Sequence, residues 1–305
     1  MRKAFSELSS GEGFVPQRYI SRLPSAEMLM LFKPAYVEKE KQISVKFLTQ
    51  REGGPIPGIP TIQGLVLLID AVTGEILSIM DGEYITALRT GAASGLATRY
   101  FAREAARTLA LFGCGTQGRT QVEAVLCERD IKKVLVYDKN KDKALSFVKE
   151  MEEKYQVEML YSSDTNRLNE VDIICTATDS TEPLFKRAQV KKGVHINAIG
   201  SFQAHMQELD PYILKNAKVF FDQTESCLHE SGDLIKAISE GVLSANDIAG
   251  ELGDYCLDKI GGRASEEEIT VFKSVGVAIQ DFVVAGDIYT SSLKKSFGTD
   301  FKIFE

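Results

Sequence analysis

The 305-residue chain is predicted to adopt an α/β fold built around a parallel sheet. Three observations carry this prediction. After Arg107, short apolar runs alternate with charged segments of helical character. A glycine-rich loop follows the first of these runs, and hairpin-like strands with one long helix occupy the residues before it. At about 150 residues per domain, two domains are expected.

The first hundred residues are predicted to mix strands with a long helix. Gln42–Leu48 alternates weakly, as a strand does, and two apolar runs, Gly64–Ile69 and Glu75–Met80, predict a hairpin. From Glu83 to about Glu104, apolar residues recur at four-residue spacing, which predicts a helix. The middle of that helix, Gly91–Gly95, consists of small residues, which suit the close approach of another backbone or of a ligand.

The region after Arg107 is predicted to supply the parallel sheet. Continuous apolar runs suit parallel strands that are buried on both faces. The predicted strands are Thr108–Phe112, Lys133–Tyr137, Asp172–Cys175, Val194–Ile199 and Val219–Phe221. From about Glu266 through Ala285 the chain is predicted to be helical, and this C-terminal segment could return to the first domain.

Composition and charge narrow the classes of partner. Hydrophobic residues make up 44% of the chain and charged residues 26%, as in folded globular proteins. The net charge of −7 disfavours binding to phosphate backbones and anionic lipid, so neither nucleic acid nor a membrane is expected as a partner. The N-terminus lacks the apolar segment of a signal peptide, and Gly64–Ile69, the longest apolar stretch, is too short to span a bilayer.

The cysteines and histidines argue against disulfides and metal. The five cysteines are widely spaced, odd in number and without a C-x-x-C pair, which predicts reduced thiols in a cytoplasmic protein. The three histidines, His195, His205 and His229, show no paired-ligand spacing, so no metal site is expected.

A glycine loop predicts a Rossmann-type dinucleotide site. Gly113 would permit the tight turn after the first strand, Gly115 would let a pyrophosphate touch the backbone, and Gly118 would let helix and strand pack closely. The N-terminus of the following helix would offer unpaired N–H groups to the phosphates. The predicted cofactor-binding residues of this loop are Gly113, Gly115, Thr116, Gln117 and Gly118. An ordinary glycine turn is the alternative.

The sequence favours NAD over NADP without excluding NADP. Asp138 ends the next strand twenty residues after Gly118, where an acid can bind the ribose hydroxyls of NAD. Lys139 and Lys141 follow and could meet a 2′-phosphate. Small and hydroxylated residues at the ends of later strands are expected beside the nicotinamide ribose, unless they serve only as loop residues: Thr176, Thr178 and Ser201.

Several ordered motifs resemble the ornithine cyclodeaminase/mu-crystallin family. They are Asp81–Ser94, the glycine loop, Asn197–Gly200, Gln207–Asp210, Gly250–Gly253 and Ile269–Gly276. The resemblance covers nearly the whole chain and implies a homodimeric NAD(P)-dependent enzyme acting on a small amino or imino acid. It further implies that a Rossmann domain at 105–281 is inserted into a mixed α/β substrate-binding and dimerisation domain at 1–104 plus 282–305.

The resemblance also implies roles for individual residues. The family's substrate-carboxylate arginine falls on Arg18, its lysine on Lys46 and its second arginine on Arg89. A guanidinium binds a carboxylate bidentately, and a lysine in a closed pocket can donate a proton, so Lys46 and Arg89 are the catalytic candidates. Each of these cations alone could instead be a solvated surface residue, and His205 is a less favoured proton donor. Further residues are expected beside the cofactor: Thr90, Val275 and Gly276.

Phe202 stands where the family's cyclodeaminases carry an aspartate. A phenyl ring can neither take a proton nor hold an ammonium, whereas it suits the apolar face of a cyclic imine. The surrounding pattern resembles the family's Δ1-pyrroline- and Δ1-piperideine-2-carboxylate reductases, which implies reduction of such imines and places Phe202 at the substrate. The alternatives are an ornithine cyclodeaminase, an alanine dehydrogenase and a non-catalytic cofactor- and ligand-binding protein. Lys33 stands in place of the family's usual methionine, with no role assigned.

Overall fold

The protein is described from a computed structural model that covers residues 1–54 and 56–301. Pro55 and residues 302–305, the end of the predicted segment 282–305, lie outside the described residues. Contacts divide the chain into two compact units. We call them the parallel unit, Met1–Ser10 with Ala87–Val277, and the antiparallel unit, Gly11–Thr86 with the chain from Ala278 onward.

The elements alternate between strand and helix, as the α/β prediction requires. Among the described residues the helices are α1 (Arg2–Ser10), α2 (Gly82–Phe101), α3 (Thr116–Glu128), α4 (Lys141–Tyr155), α5 (Pro211–Lys215), α6 (Thr224–Glu230), α7 (Gly232–Ser239), α8 (Leu252–Cys256) and α9 (Ala278–Lys295). The strands there are β1 (Gly13–Phe14), β2 (Tyr19–Leu23), β3 (Met28–Val37), β4 (Gln42–Arg51), β5 (Ile62–Asp70), β6 (Ile76–Asp81), β7 (Thr108–Phe112), β8 (Lys133–Tyr137), β9 (Glu158–Tyr161), β10 (Ile173–Thr176), β11 (Thr181–Phe185), β12 (His195–Ala198), β13 (Gln207–Leu209), β14 (Ala217–Phe221), β15 (Ile248–Glu251) and β16 (Ile269–Lys273). None of these described helices combines the length and the hydropathy that a membrane span requires.

The antiparallel unit is an antiparallel sheet packed against α9. Its strands run in the order β1-β3-β4-β5-β6, and β2 pairs with β3. The predicted strand at 42–48 and the predicted hairpin at 64–80 are confirmed as β4 and as β5–β6. Helix α9 packs on β3, β4 and β5. Alternate residues of β3, including Lys33, Ala35 and Val37, are buried, as expected for a strand with one covered face.

The parallel unit contains the predicted sheet. Its strands are all parallel, in the order β15-β14-β16-β12-β10-β7-β8-β9. In β7, Leu109 and Leu111 join one buried cluster while Ala110 and Phe112 join another, so alternate residues pack on opposite faces. The expectation of strands buried on both faces is therefore confirmed.

The helix predicted from about Glu266 is wrong in its first half. Ile269–Lys273 forms β16, between β14 and β12 in the sheet, and the helix begins only at Ala278. Five consecutive buried residues cannot be assigned by periodicity alone, because a buried strand and a buried helix segment look alike at that length. Three β-branched residues and a phenylalanine, Ile269, Thr270, Val271 and Phe272, were the available signal.

The small residues of α2 pack against α3. A Cβ added to Gly91 would lie 2.6 Å from the Thr120 carbonyl oxygen, and one added to Gly95 would lie 3.3 Å from the Cβ of Ala124. The prediction that this run admits another backbone is confirmed, with α3 as the neighbour.

The two units divide the chain differently from the predicted domains, 1–104 plus 282–305 and 105–281. Most of α2 falls in the parallel unit because its glycine face lies against α3. Helix α1 falls there because it packs on α8, where a Cβ on Gly253 would collide with the Phe5 carbonyl. Helix α9, by contrast, clusters with the antiparallel unit from Ala278.

Candidate active site

The glycine loop after β7 has the geometry that the sequence predicts for it. Gly113 adopts φ +99°, and a Cβ there would collide with the Ala177 carbonyl. A Cβ on Gly118, in the first turn of α3, would collide with the Gly113 carbonyl. Around Gly115, by contrast, a Cβ would meet nothing within 4 Å. Gly113 and Gly118 thus hold strand and helix together, and Gly115 leaves the approach to the backbone open.

The start of α3 fits a pyrophosphate. Gly115 is the N-cap of this 13-residue helix and supplies no side-chain cap to its first N–H groups. The buried Oε1 of Gln117 has no hydrogen-bond partner among the described residues. Thr116 is exposed at the first helical position. Open backbone donors with two polar side chains beside them suit the phosphates of a dinucleotide.

Asp138 lies at the end of β8 and is tied to the glycine loop. Its Oδ2 accepts a hydrogen bond from the Cys114 N–H at 2.9 Å, and its Oδ1 accepts one from the Asn140 N–H at 2.9 Å. The Lys143 Nζ lies 3.8 Å from Oδ2. The carboxylate is thus fixed at the position where a Rossmann fold binds the ribose.

Lys139, the cation that could meet a 2′-phosphate, is already paired. Its Nζ lies 3.0 Å from an oxygen of Asp179, which follows β10. The hydrogen bond from Lys139 lowers the pKa of Asp179, as expected for an ion pair. Both side chains are mostly exposed, at 82% and 78%, so the pairing is weak but present.

Thr176 and Thr178 share one buried carboxylate, that of Glu208. Glu208 Oε1 accepts from the Thr178 N–H at 2.7 Å and from its hydroxyl at 2.8 Å. Its Oε2 accepts from the Thr176 hydroxyl at 2.7 Å and from the Gly200 N–H at 2.8 Å. Burial raises the pKa of Glu208. This glutamate fixes the loops after β10 and β12, a role that the sequence motif containing it did not reveal.

Ser201 and Phe202 follow β12. The Ser201 side chain is fully buried, and its hydroxyl donates to the Met206 carbonyl and accepts from the Asp233 N–H. Phe202 is half-buried against the apolar cluster on one face of the sheet. His205, the less favoured proton donor, is exposed.

A second buried acid, Asp222, holds the segment after β16. Asp222 Oδ2 accepts from the Ser274 hydroxyl at 2.6 Å and from the N–H groups of Val275 and Gly276 at 3.0 and 2.7 Å. Gly276 has φ +80°, and a Cβ there would lie 2.6 Å from Nη2 of Arg89. The structure therefore brings two predicted site residues, Arg89 and Gly276, into contact. Thr90 is buried beside Arg89 on α2.

A buried ion pair joins the end of β16 to α7. The Lys273 Nζ lies 3.0 Å from Asp233 Oδ2, and both side chains are fully buried. Asp233 Oδ1 also accepts from the N–H groups of Glu208 and Leu209, at 2.7 and 2.9 Å. Sequence reasoning missed this pair, although a lysine in an otherwise apolar run was a signal.

Lys46, in the antiparallel unit, forms a buried ion pair of its own. Its Nζ lies 2.8 Å from Asp281 Oδ2, and both side chains are 1% exposed. The same nitrogen donates to the Thr86 hydroxyl at 3.0 Å. Lys33, the residue without an assigned role, is buried and directly opposite Lys46 in the register of β3 and β4. Asp281, a lone acid in the apolar first turns of α9, was missed from the sequence.

Arg18 lies in the segment between β1 and β2 and is half-buried. It belongs to the antiparallel unit with Lys46, whereas Arg89 belongs to the parallel unit. In the part of the chain that the structure describes, no group of three or more His, Cys, Asp or Glu side chains could hold a metal ion.

The chain is similar to known proteins over almost its full length. The ornithine cyclodeaminase/mu-crystallin family matches residues 1–296. The Δ1-pyrroline-2-carboxylate reductase of Bacillus cereus is 38% identical over 297 residues, 97% of this chain and 91% of that protein.

Two solved structures have the same fold. Thermococcus litoralis Δ1-pyrroline-2-carboxylate reductase in complex with NADH and L-proline is 37% identical with a TM-score of 0.94, covering 98% of this chain and 93% of that one. An archaeal alanine dehydrogenase dimer with bound NAD is 34% identical with a TM-score of 0.92, covering 99% of this chain and 92% of that one.

Proposed function

The chain belongs to the ornithine cyclodeaminase/mu-crystallin family, and we propose that it is an NAD(P)H-dependent reductase of cyclic ketimine carboxylates. The substrate proposed is Δ1-pyrroline-2-carboxylate, reduced to L-proline, with the six-membered piperideine homologue as a second substrate. The observation that carries the proposal is the 38% identity to a Δ1-pyrroline-2-carboxylate reductase over 97% of the chain. Phe202 supports imine reduction over cyclodeamination, because a phenyl ring cannot accept a proton or replace the carboxylate that the family's cyclodeaminases carry at this position.

The reaction adds a hydride to C2 of the imine and a proton to its nitrogen. The hydride would come from a reduced nicotinamide cofactor held by the glycine loop and Asp138. Arg18 and Arg89 bind the ring carboxylate. Lys46, whose Nζ lies 2.8 Å from the Asp281 carboxylate, donates the proton to the nitrogen, which makes C2 more electrophilic. These roles rest on the family pattern together with the burial of Lys46 and Arg89, since a surface cation would be exposed.

The cofactor proposed is NAD, held by the glycine loop and Asp138. Two features support NAD over NADP. Asp138 is fixed by the Cys114 N–H in position for a ribose diol, and Lys139 is paired with Asp179. The predicted residues at the strand ends, including Thr178, Ser201 and Val275, complete the proposed cofactor site.

A homodimer in the cytoplasm is the proposed state of the enzyme. The archaeal alanine dehydrogenase of the same fold is a dimer.

The five cysteines are free, and burial raises the pKa of Cys114 and of Cys175 to about 12, so those two thiols are protonated and unreactive.

Alanine dehydrogenase is the second candidate function, because a structure with that activity in its name is 34% identical over nearly the whole chain. Its reverse reaction reduces the imine of pyruvate and ammonia, which is also a C=N bond next to a carboxylate. The two candidates therefore differ in whether the substrate is a ring.

The test is a substrate panel followed through the absorbance of the reduced cofactor. Purified protein is mixed with NADH or NADPH and with Δ1-pyrroline-2-carboxylate, Δ1-piperideine-2-carboxylate, or pyruvate plus ammonia. The expected result is oxidation of NADH by the cyclic imines. Turnover only with pyruvate and ammonia would instead identify an alanine dehydrogenase. Bound NADH without turnover would leave ornithine cyclisation, tested with L-ornithine, or a binding protein.

A further inference from the structure

Asp222 is a buried carboxylate at the carboxyl edge of the parallel sheet. It follows β14 directly, and its side chain is fully buried. One oxygen, Oδ2, accepts three hydrogen bonds from the consecutive residues Ser274, Val275 and Gly276. The other oxygen accepts from the Gln223 N–H at 2.9 Å and lies 3.1 Å from the Cys227 sulfur. Asp222 therefore links the end of β14 to the segment that follows β16.

The segment that Asp222 fixes lies against Arg89. Gly276 has the left-handed φ of +80°, and its Cα faces the guanidinium so closely that a Cβ would lie 2.6 Å from Nη2. The Arg89 side chain is 5% exposed. A shift of Gly276 would therefore displace the guanidinium, which has little free space to compensate.

We infer that Asp222 is a positioning residue for imine reduction, which it serves by fixing the Ser274–Gly276 turn that sets the place of the Arg89 guanidinium. This inference rests on the proposed function, in which Arg89 binds the substrate carboxylate. Misplacing a substrate-binding group by about 1 Å can cost roughly a hundredfold in rate. Asp222 thus acts on the substrate through Arg89 without touching it.

A structural carboxylate in the same sheet supplies the matched control. Asp172, at the opposite edge, is also buried and also accepts several hydrogen bonds. Its partners are Arg103, Lys191 and the start of β7, all remote in sequence from the Ser274–Gly276 turn. Asp172→Asn should therefore affect stability without acting through Arg89.

The experiment is a double-mutant cycle. Asp222→Asn keeps the shape of the side chain but removes its charge. Its N–H₂ group must face donors, either Gln223 or the Ser274–Gly276 turn, so the turn is held less firmly. We expect kcat/KM for Δ1-pyrroline-2-carboxylate to fall roughly ten- to a hundredfold. In an Arg89→Lys background, where the guanidinium fork is already absent, the same change should cost only about twofold, because residues in one network are not additive.

Asp172→Asn should show equal factors in the two backgrounds, and far-ultraviolet circular dichroism checks that each variant is folded. If Asp222→Asn also costs the same factor with and without Arg89, Asp222 is merely structural and the inference is wrong. If the wild-type protein reduces no cyclic imine, the proposed function fails, and the inference fails with it.

A milder variant covers the case in which Asp222→Asn does not fold. Ser274→Ala removes a single donor, the hydroxyl 2.6 Å from Asp222 Oδ2. We expect a smaller fall in kcat/KM with the same dependence on Arg89. An effect of Ser274→Ala that is identical in both backgrounds would overturn the inference by itself.

Discussion

The two edges of the parallel sheet bury their acids in different ways. At the amino edge, Asp172 accepts hydrogen bonds from Arg103 and Lys191, at 2.6 and 2.7 Å. At the carboxyl edge, Glu208 and Asp222 are held by hydroxyl groups, backbone N–H groups and, for Asp222, a thiol. At the amino edge, charged side chains pair with the acid directly. At the carboxyl edge, Glu208 and Asp222 accept from neutral donors that arrange loops, and a third acid, Asp233, forms the buried ion pair with Lys273.

The pKa shifts follow that difference. Burial would raise the pKa of Asp172, but hydrogen bonds from the Arg107 N–H, Lys191 and Thr108 outweigh it and hold that pKa at about 2. At the other edge, burial prevails and raises the pKa of Glu208. In open α/β sheets ligands bind at the carboxyl edge. The carboxylate that burial destabilises, Glu208, therefore lies at the carboxyl edge, where the geometry of the loops matters for binding. The ion-paired carboxylate, Asp172, stabilises the fold at the amino edge.

The largest effect is expected at the glycine loop, where Gly113→Ala would force a Cβ against the Ala177 carbonyl at a φ of +99°. We expect a loss of stability of about 3 kcal/mol or more, or failure to fold. Gly115→Ala is the matched control, since no atom lies within 4 Å of its added Cβ. It should leave the melting temperature unchanged and weaken NADH binding. Equal melting temperatures for Gly113→Ala and the wild type would contradict this account of the loop.

Glu208→Gln should be the next most damaging change. An amide at this position turns its N–H₂ toward either the Thr178 or the Gly200 N–H, leaving a buried donor without an acceptor. The expected loss is about 1–3 kcal/mol in the free energy of unfolding, measured by chemical denaturation. Glu182→Gln, at an exposed glutamate nearby, should change it by less than about 0.5 kcal/mol. Similar losses for both variants would show that the hydrogen bonds accepted by Glu208 do not stabilise the fold.

Asp172 should make the protein sensitive to acid. Its folded pKa of about 2 lies below the ordinary 3.8, so the ionised form stabilises the fold above pH ~4. That contribution, about 2 kcal/mol, is lost as the pH falls from about 4 to about 2. Denaturation of wild type and Asp172→Asn across this range measures it. Parallel pH profiles for the two proteins would show that the amino edge carries no such stabilisation.

The smallest effect is expected on cofactor choice. Asp179→Asn removes the acid paired with Lys139 and leaves that cation for a 2′-phosphate. Because exposed pairs contribute about 0–1 kcal/mol, the ratio of kcat/KM for NADPH to that for NADH should rise by up to about fivefold. Glu267→Gln, which breaks an equally exposed pair with Lys192, is the control and should leave the ratio unchanged. A ratio that does not respond to Asp179→Asn would exclude this pair from cofactor selection.

Much of the parallel sheet could be predicted because its strands are short apolar runs bounded by turns. The runs Thr108–Phe112 and Lys133–Tyr137 match β7 and β8 residue for residue. The sequence did not reveal β16 as a strand, and it left β2 and β3 unassigned. A strand that contains Lys33 and Pro34 lacks a clean pattern, and its lysine is buried only because α9 covers the sheet.

The site was predictable where local geometry dictates the residue. Gly113 and Gly118 could be assigned because no other residue fits such a turn. The acids Glu208, Asp222 and Asp281 could not, because each has partners 8 to 235 residues away in sequence that only the folded chain brings to it. Tertiary pairing of buried charge leaves little trace in a single sequence.

The most direct test of the proposed reaction, hydride transfer from NADH to C2 of Δ1-pyrroline-2-carboxylate, follows one hydrogen atom. The protein is incubated with NADH carrying deuterium at the transferable position and with Δ1-pyrroline-2-carboxylate, and the product is analysed by chiral chromatography and mass spectrometry. We expect L-proline with one deuterium at C2, formed in equal amount to the NADH consumed. Absence of proline, or proline without deuterium at C2, would contradict it.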